Sequence, residues 1–408
     1  MRGSPLRLLI PCVVAALSQG CDRPVLRDVV EGNVRDSAGV RLVEFVRLPK
    51  GEGALRFASR ARLRLGGLRD NDSLEFDPRG IYLTATRLAD GRLVVGDNRR
   101  LKFFKSDGSP QQIVGRGGAG PGEFSAIRDL CPQSDSTLVV LDDDGRWTVW
   151  SRDGTLLHTQ SRVGQVPGNA CSLNGTILSY VSPFEGSFAP SARPMRSMAI
   201  FQRDGSLLYT IGRQPADEYY GQLFFVPSFT LSANTLLIAD ARTFEVRQLV
   251  LPSLATVQRI SLRNGLRELT RGEWDSINLT LFPFNATATQ RKDVLARLEQ
   301  LGKPATYPAF SQVRSDPTGR IWINPYFDHQ HWYVIDRDAT RLSRVTLPFA
   351  ESERPRLVGF AGSDAVIRHL DEDGAVVLSF IEVLSTNPAR ADPRDDSRLL
   401  EPAPDASR

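Results

Sequence analysis

The sequence predicts an all-β fold, a six-bladed β-propeller of four-stranded antiparallel blades. An apolar residue followed by glycine ends a strand-like run four times, and the four glycines are 49, 49 and 48 residues apart. A period of roughly 40–50 residues is typical of propeller blades and of helical arrays. The intervening segments alternate apolar and polar residues and are rich in turn residues, which excludes helical arrays. The four pairs are Leu65-Gly66, Val114-Gly115, Val163-Gly164 and Ile211-Gly212.

Six copies of one local pattern set the number of blades. In each copy a short turn precedes a mostly apolar strand, which we assign as the inner strand of its blade. An outer hairpin often follows, turned by Asp-Gly, a pair that tolerates the positive φ of tight turns. The six strands are predicted at residues 92–95, 137–141, 176–180, 235–239, 320–324 and 364–368.

An N-terminal strand is expected to close the ring. The last unit, residues 346–383, is one strand short, and residues 61–65 align with the outermost strand of a unit. We predict that they complete the last blade, because ring closure removes exposed sheet edges. The propeller is thus predicted over residues 39–385, and segment 40–46 is a further strand without a fixed place.

The fifth unit contains an insertion at about residues 262–308. It carries a predicted helix at 289–301, which Gly302 ends, and we place it over one end of the ring. Aromatic residues here and in a second loop-like segment are candidates for ligand binding. The alternative is that they pack the insertion against the ring. The candidates are Tyr219, Tyr220, Trp274, Phe282, Phe284 and Tyr307.

Residues 1–20 are predicted to be a secretory signal peptide. A basic start precedes an apolar stretch of about ten residues, too short for a bilayer span of roughly 20. The end of this segment resembles a bacterial lipoprotein cleavage site, with Gly20-Cys21 in place but Leu17 one position early. Lipidation of Cys21 predicts an exported, membrane-anchored lipoprotein, periplasmic or on the cell surface. Plain cleavage and an uncleaved anchor are the alternatives.

Two further segments are predicted to lie outside the ring. Residues 21–38 are polar, without clear periodicity, and are expected to form a tether. Residues 386–408, rich in Pro, Asp, Ser and Arg, are expected to form a disordered tail. The chain has 51 basic and 47 acidic residues, interspersed along its length. A nucleic-acid binder would cluster its basic charge, so no nucleic-acid partner is expected.

One blade carries a family resemblance. Residues 91–97 (Gly-Arg-Leu-Val-Val-Gly-Asp), 101–104 (Leu-Lys-Phe-Phe), Asp107-Gly108 and 118–124 (Gly-Ala-Gly-Pro-Gly-Glu-Phe) resemble an NHL-repeat blade. The resemblance covers roughly residues 40–383 and is strongest in this blade. Bacterial exported lipoproteins with six-bladed propellers have the same pattern. The resemblance implies the fold and only weakly a function, since propellers host many functions.

The expected function is binding or scaffolding in the cell envelope, with a protein or glycan partner recognised by loops on one face. The alternative is a metal-dependent hydrolase or lyase with its site at the channel mouth. His329 and His331, two residues apart, are weak candidates for metal ligands there. No catalytic or cofactor-binding motif is evident, so no catalytic residue and no cofactor are predicted.

Two sets of residues recur at equivalent positions of different blades. Cys131 and Cys171 occupy similar positions in adjacent units, and an oxidising envelope would allow a disulfide between them. Two buried thiols are the alternative. The second set ends the apolar strands, and its repetition predicts structural turn hydrogen bonds rather than ion binding. Its members are Asp97, Asp142, Asp240 and Asn324.

Overall fold

The computed structural model describes residues 28–67, 75–78, 83–160, 171–172, 175–181, 195–215, 218–220, 223–232, 234–263, 265–279, 287–326 and 328–385. These residues are mostly strands, arranged as six antiparallel blades in a ring. The strands are β1 (Val30–Glu31), β2 (Asn33–Ser37), β3 (Val40–Phe45), β4 (Leu55–Phe57), β5 (Leu63–Gly66), β6 (Leu83–Arg87), β7 (Leu93–Asp97), β8 (Arg100–Phe104), β9 (Pro110–Val114), β10 (Arg116–Gly117), β11 (Glu123–Phe124), β12 (Ile127–Pro132), β13 (Leu138–Asp142), β14 (Trp147–Trp150), β15 (Leu156–Gln160), β16 (Thr176–Tyr180), β17 (Met195–Gln202), β18 (Leu207–Pro215), β19 (Glu218–Tyr220), β20 (Leu223–Phe225), β21 (Ser228–Leu231), β22 (Thr235–Asp240), β23 (Glu245–Val250), β24 (Ala255–Leu262), β25 (Phe310–Ser315), β26 (Ile321–Pro325), β27 (His331–Ile335), β28 (Arg341–Thr346), β29 (Arg356–Ala361), β30 (Asp364–Leu370) and β31 (Val376–Ser385).

Each blade is built from strands that follow one another along the chain. Blades one, two, four and five are the four-stranded units β6–β9, β12–β15, β21–β24 and β25–β28. Blade three comprises β16–β18, with Cys171 bridged to Ile177 on the inner side of β16. Blade six comprises β29–β31 together with β5, and β4 pairs with the last residues of β31.

The first strand of each blade, rather than the predicted one, is innermost. Strand β6 contacts β12 and β29, and β21 contacts β25, so the first strands meet around the axis. The predicted inner strands are therefore the second strands. Their apolar character thus does not come from a position next to the ring axis. A second strand is covered by neighbouring blades on both faces, and all five residues of β7 and of β13 are buried.

The predicted ring closure is confirmed. Strand β5 pairs antiparallel with β31, so that Leu65 lies opposite Leu378 and Leu63 opposite Phe380. The hydrophobic core is divided among the gaps between blades. In one such cluster Leu101 of blade one packs with Leu138 of blade two.

The tether predicted for residues 21–38 is wrong for its second half. Strand β1 pairs with β28 of blade five, and β2 pairs with β3. Strand β3, which corresponds to the unplaced segment 40–46, pairs parallel with β24 of blade four. All five residues of β2 are exposed, so backbone pairing rather than burial stabilises the strand. For the same reason the sequence shows no hydrophobic pattern that would predict it. Residues 1–27, with the signal peptide and Cys21, lie outside the described residues, as does the predicted tail at 386–408.

The described residues of the insertion form two helices, where one was predicted. Helix α2 (Ala288–Leu301) agrees within one residue with the predicted helix, and Gly302 follows with φ +74°. Helix α1 (Arg271–Leu279) was not foreseen. It begins with a capping box, in which Thr270 and Glu273 each bond the other's backbone N–H through their side chains. Among the described residues, no helix has the length and apolar character needed to cross a bilayer.

Candidate functional site

The two ends of the ring differ in what they carry. Because the strands of a blade alternate in direction, the linkers between blades and the loops after the second strands share one end. The insertion is such a linker, between β24 and β25, so we call this end the insertion face. The opposite end holds the short hairpin turns, including Asp107-Gly108 and Asp204-Gly205, and we call it the turn face.

A buried aromatic cluster fixes the insertion to the ring. Trp274 of α1 is 3% exposed and Tyr307 is 4% exposed, and both pack with Leu223 and Phe225 of strand β20. Backbone hydrogen bonds join the two ends of the insertion, from Leu269 N–H to the Ala305 carbonyl and from Tyr307 N–H to the Arg267 carbonyl. Trp274 and Tyr307 therefore pack the insertion, which is the alternative that the sequence left open.

The other aromatic candidates have no described side chains. Tyr219 and Tyr220 lie in β19, whose backbone pairs with β20, so that Tyr219 is opposite Phe224. Phe282 and Phe284 lie outside the described residues. The structure thus brings the hairpin β19–β20 and helix α1 together on the insertion face.

His329 lies in the loop between β26 and β27, and His331 is the first residue of β27, both on the insertion face. The Nδ1 atom of His331 is 2.7 Å from Asp328 Oδ2, and His329 is exposed. Desolvation and the charge of Arg356 lower the pKa of His329, against a smaller raising effect of Asp328. Asp328, His329 and His331 do not bring one ligand atom each within 4.8 Å of one another. The geometry gives no support to a metal site formed by this loop.

A second histidine lies in a serine–histidine–carboxylate arrangement. His369 Nε2 is 3.0 Å from Ser379 Oγ, and His369 Nδ1 is 3.4 Å from Glu353 Oε2. Ser379 is fully buried in the middle of β31, where it lies between Ile367 and Arg64 in the sheet. A catalytic nucleophile must be reachable by its substrate, and although Ser379 borders a surface pocket, its own side chain is 0% exposed. The arrangement is suited to holding His369 in the core.

Cys131 and Cys171 are joined as a disulfide, with Cα atoms 6.0 Å apart, an ordinary separation for such a pair. The bond links blade two to blade three. Asp129 has a carboxylate oxygen within 4.8 Å of both sulfurs, and these three form the one cluster of metal-ligand type among the described residues. Because both sulfurs are in the disulfide, they do not serve as thiolate ligands.

The polar residues at the ends of the second strands accept hydrogen bonds, and two of them, Asp142 and Asp240, do so within their own turns, from the N–H groups of Asp144 and Arg242. Asp142 accepts from the backbone N–H and the hydroxyl of Ser125 at 2.8 and 2.6 Å. Asp97 accepts from the Asp77 N–H and pairs with Lys102 at 2.9 Å. Asp240 accepts from the Arg242 N–H, and the Asn324 amide accepts from Ser311 Oγ. These polar groups support the loops of the insertion face.

No protein-family model and no curated protein matches the sequence. Among solved structures, the chain is similar to a protein from Bacteroides fragilis that is named as an exported protein. The two are 11% identical over 84% of this chain and 99% of that chain, with a TM-score of 0.52. A chain of a mitotic checkpoint complex, 12% identical over 80% and 93% of the two chains, has a TM-score of 0.39. At these identities the likeness concerns the fold alone, and the NHL-repeat resemblance stays a prediction.

Three arginines at blade six, Arg354, Arg356 and Arg368, are not evident as a group in the sequence. Basic residues are interspersed along the chain, and their spacing does not show which side chains a sheet brings together. The pairing of Arg356 with Arg368 across β29 and β30 is a contact that only the register of the sheet provides.

Proposed function

We propose that this protein is an exported binding or scaffolding propeller of the cell envelope, which recognises a protein or glycan through its insertion face. The observation that carries the proposal is the buried cluster around Trp274 and Tyr307. It holds helix α1 and the hairpin β19–β20 in fixed positions above the ring. A rigid, preorganised surface binds with a smaller loss of conformational entropy than a mobile loop does.

The N-terminal segment and the disulfide support export. Residues 1–20 have the composition of a signal peptide, and Cys21 is the residue that a lipid anchor would modify. Disulfides persist in oxidising compartments such as the bacterial periplasm and the cell surface, and are rare in the cytosol. The similar Bacteroides fragilis protein is also named as exported. We therefore place the chain in the envelope, anchored to a membrane by acyl chains on Cys21.

The test is co-purification of the full chain, expressed with a C-terminal tag, from detergent-solubilised envelope, with protein, glycan and metal analysis of the eluate. Two exposed lysines make a matched pair of variants: Lys292 in helix α2 on the insertion face and Lys105 beside a hairpin turn on the turn face. We expect a stoichiometric partner that Lys292→Glu weakens and Lys105→Glu leaves unchanged.

Three results would count against the proposal. The first is the absence of any stoichiometric protein or glycan, and the second is a partner lost equally in both variants. The third is a bound divalent metal without a partner, which would instead favour the metal-dependent enzyme.

A further inference from the structure

Three arginines of blade six converge on the insertion face. Arg356 is the first residue of β29, the innermost strand, and lies directly opposite Arg368 of β30. Arg354, two residues earlier, ends a short 3-10 helix (Glu351–Glu353) in a left-handed conformation with φ 50°. Like charges directly opposite each other destabilise an antiparallel pair, so a sheet without a use for them would be expected to avoid this arrangement.

Arg368 is the member of the group that most needs a counter-charge. It is 6% exposed, its Nε has no hydrogen-bond partner, and its one hydrogen bond is a long one, 3.5 Å from Nη1 to the Arg354 carbonyl. Burial first, and then the charges of Arg356 and Arg354, lower the pKa of Arg368. In the part of the chain that the structure describes, it makes no ion pair with a carboxylate.

Other arginines of this chain show how it normally compensates a half-buried charge. The Arg146 guanidinium is 3.0 Å from Asp142, and the Arg320 guanidinium is 2.5 Å from Asp316. Both arginines are more exposed than Arg368, yet each has a carboxylate. A buried charge without a partner is costly, so an uncompensated one is a candidate for compensation by a ligand.

The neighbouring blade brings groups of both kinds to this cluster: burial and then Arg356 lower the pKa of His329, and the carboxylate of Asp328 raises it by less. His329, in the loop of the neighbouring blade, lies close enough to Arg356 for the arginine to influence its titration. Arg354 and Arg356 are exposed, so their guanidinium groups can be reached from solvent. A planar guanidinium presents N–H donors that fit carboxylate or phosphate oxygens in pairs.

We propose that Arg354, Arg356 and Arg368, beside His329 at the mouth of the channel, form a binding site for an oxyanion, a carboxylate or a phosphate group. The inference deepens the proposed function and rests on it: the group belongs to the partner or glycan recognised on the insertion face. The anion would compensate the charge of Arg368 and would accept hydrogen bonds from the two exposed arginines.

The test is titration of purified residues 21–408 with inorganic phosphate and, separately, with acetate, at constant ionic strength set by sodium chloride. Calorimetry gives the affinity and thermal unfolding gives Tm. We expect one of the two anions to bind at one site and to raise Tm, which also identifies the chemistry. Arg356→Ala and Arg368→Met should each weaken that binding about 10- to 100-fold, the loss expected for a charge-assisted hydrogen bond.

Stability in the absence of anion separates this site from a structural one. Arg368→Met removes an uncompensated buried charge, so we expect Tm to be unchanged or higher, with the response to anion lost. The matched control is Arg320→Met, which leaves the buried Asp316 carboxylate without its arginine partner. This variant should have a lower Tm but an unchanged response to the anion.

The inference is overturned if neither anion binds the wild type, or if Arg368→Met lowers Tm as much as Arg320→Met does. Partner capture, measured by co-purification, is independent of these readouts. Partner capture on the insertion face without anion binding would support the proposed function and contradict the anion site. Anion binding without partner capture would support the anion site and contradict the proposed function.

Discussion

At the scale of single residues, Asp316 shows how a buried turn is held. Its carboxylate accepts from the Trp322 indole N–H at 2.9 Å and from the Thr318 hydroxyl at 2.7 Å, and Trp322 is fully buried. We expect Asp316→Ala to lower the free energy of unfolding by at least about 1–3 kcal/mol, because it leaves the indole N–H without an acceptor.

A double-mutant cycle with urea unfolding checks this assignment. Trp322→Phe removes the N–H, so the combined variant should be less destabilised than the sum of the single changes, by about 1 kcal/mol or more. Strict additivity would show that the indole hydrogen bond does not contribute to the effect.

His369 predicts how stability depends on pH. It is 1% exposed, its ring stacks on Phe349, and burial lowers its pKa below the ordinary 6.5, against smaller raising effects of its hydrogen bond to the Leu370 carbonyl and of Glu353. The unfolded chain therefore binds a proton at a higher pH than the folded chain does. The contribution of buried, neutral His369 to the free energy of unfolding is complete above pH 6.5 and is lost as the pH falls below that value.

We expect urea midpoints of the wild type to fall between pH 7.5 and pH 5.5, and His369→Gln to show a smaller fall. Carboxylates with lowered pKa values, such as Asp135 with a pKa of about 2, change the stability only at more acidic pH and do not affect this comparison. His158→Gln is the control, because this histidine is exposed on strand β15. An equal fall in wild type and His369→Gln would contradict the assignment.

At the scale of elements, the closing strand β5 is the clearest link between sequence and stability. Leu65 is 3% exposed and packs with Phe76, Leu378 and Phe380. Leu65→Ala should lower the free energy of unfolding by about 2–5 kcal/mol, the usual cost of such a core truncation. Leu207→Ala in β18 is the control, because Leu207 is 59% exposed and its loss should change stability by no more than about 0.5 kcal/mol. Similar unfolding midpoints for both variants would show that β5 does not close the ring.

The elements that could be predicted have a signal in their side chains or glycines, whereas two of the missed strands are held by backbone pairing. Strand β5 was predictable because the last unit lacked a strand, and α2 because it ends at a glycine. Strands β1 and β2 were missed because backbone pairing holds them and β2 buries no side chain. The Thr270–Glu273 capping box that begins α1 was present in the sequence as Thr-x-x-Glu and could have been recognised.

At the scale of the whole molecule, the glycine period predicted a propeller and the six turn-and-strand copies predicted six blades, whereas the site could not be predicted to the same depth. Trp274 and Tyr307 are as suited to a core as to a binding surface, and only the fold shows that they are buried. The pairing of Arg356 with Arg368 depends on strand register, which spacing along the chain does not reveal. Sequence therefore placed the insertion but not the charges beside the channel.

The central claim is that recognition occurs on the insertion face. Two exposed leucines allow a matched test: Leu295 in helix α2, 46% exposed, and Leu207 next to a hairpin turn of the turn face, 59% exposed. A photoreactive amino acid would replace each leucine in turn, and crosslinked products would be identified after irradiation of intact cells. We predict a discrete crosslinked partner from position 295 and none from position 207. A partner from position 207 alone, or from neither position, would contradict the claim.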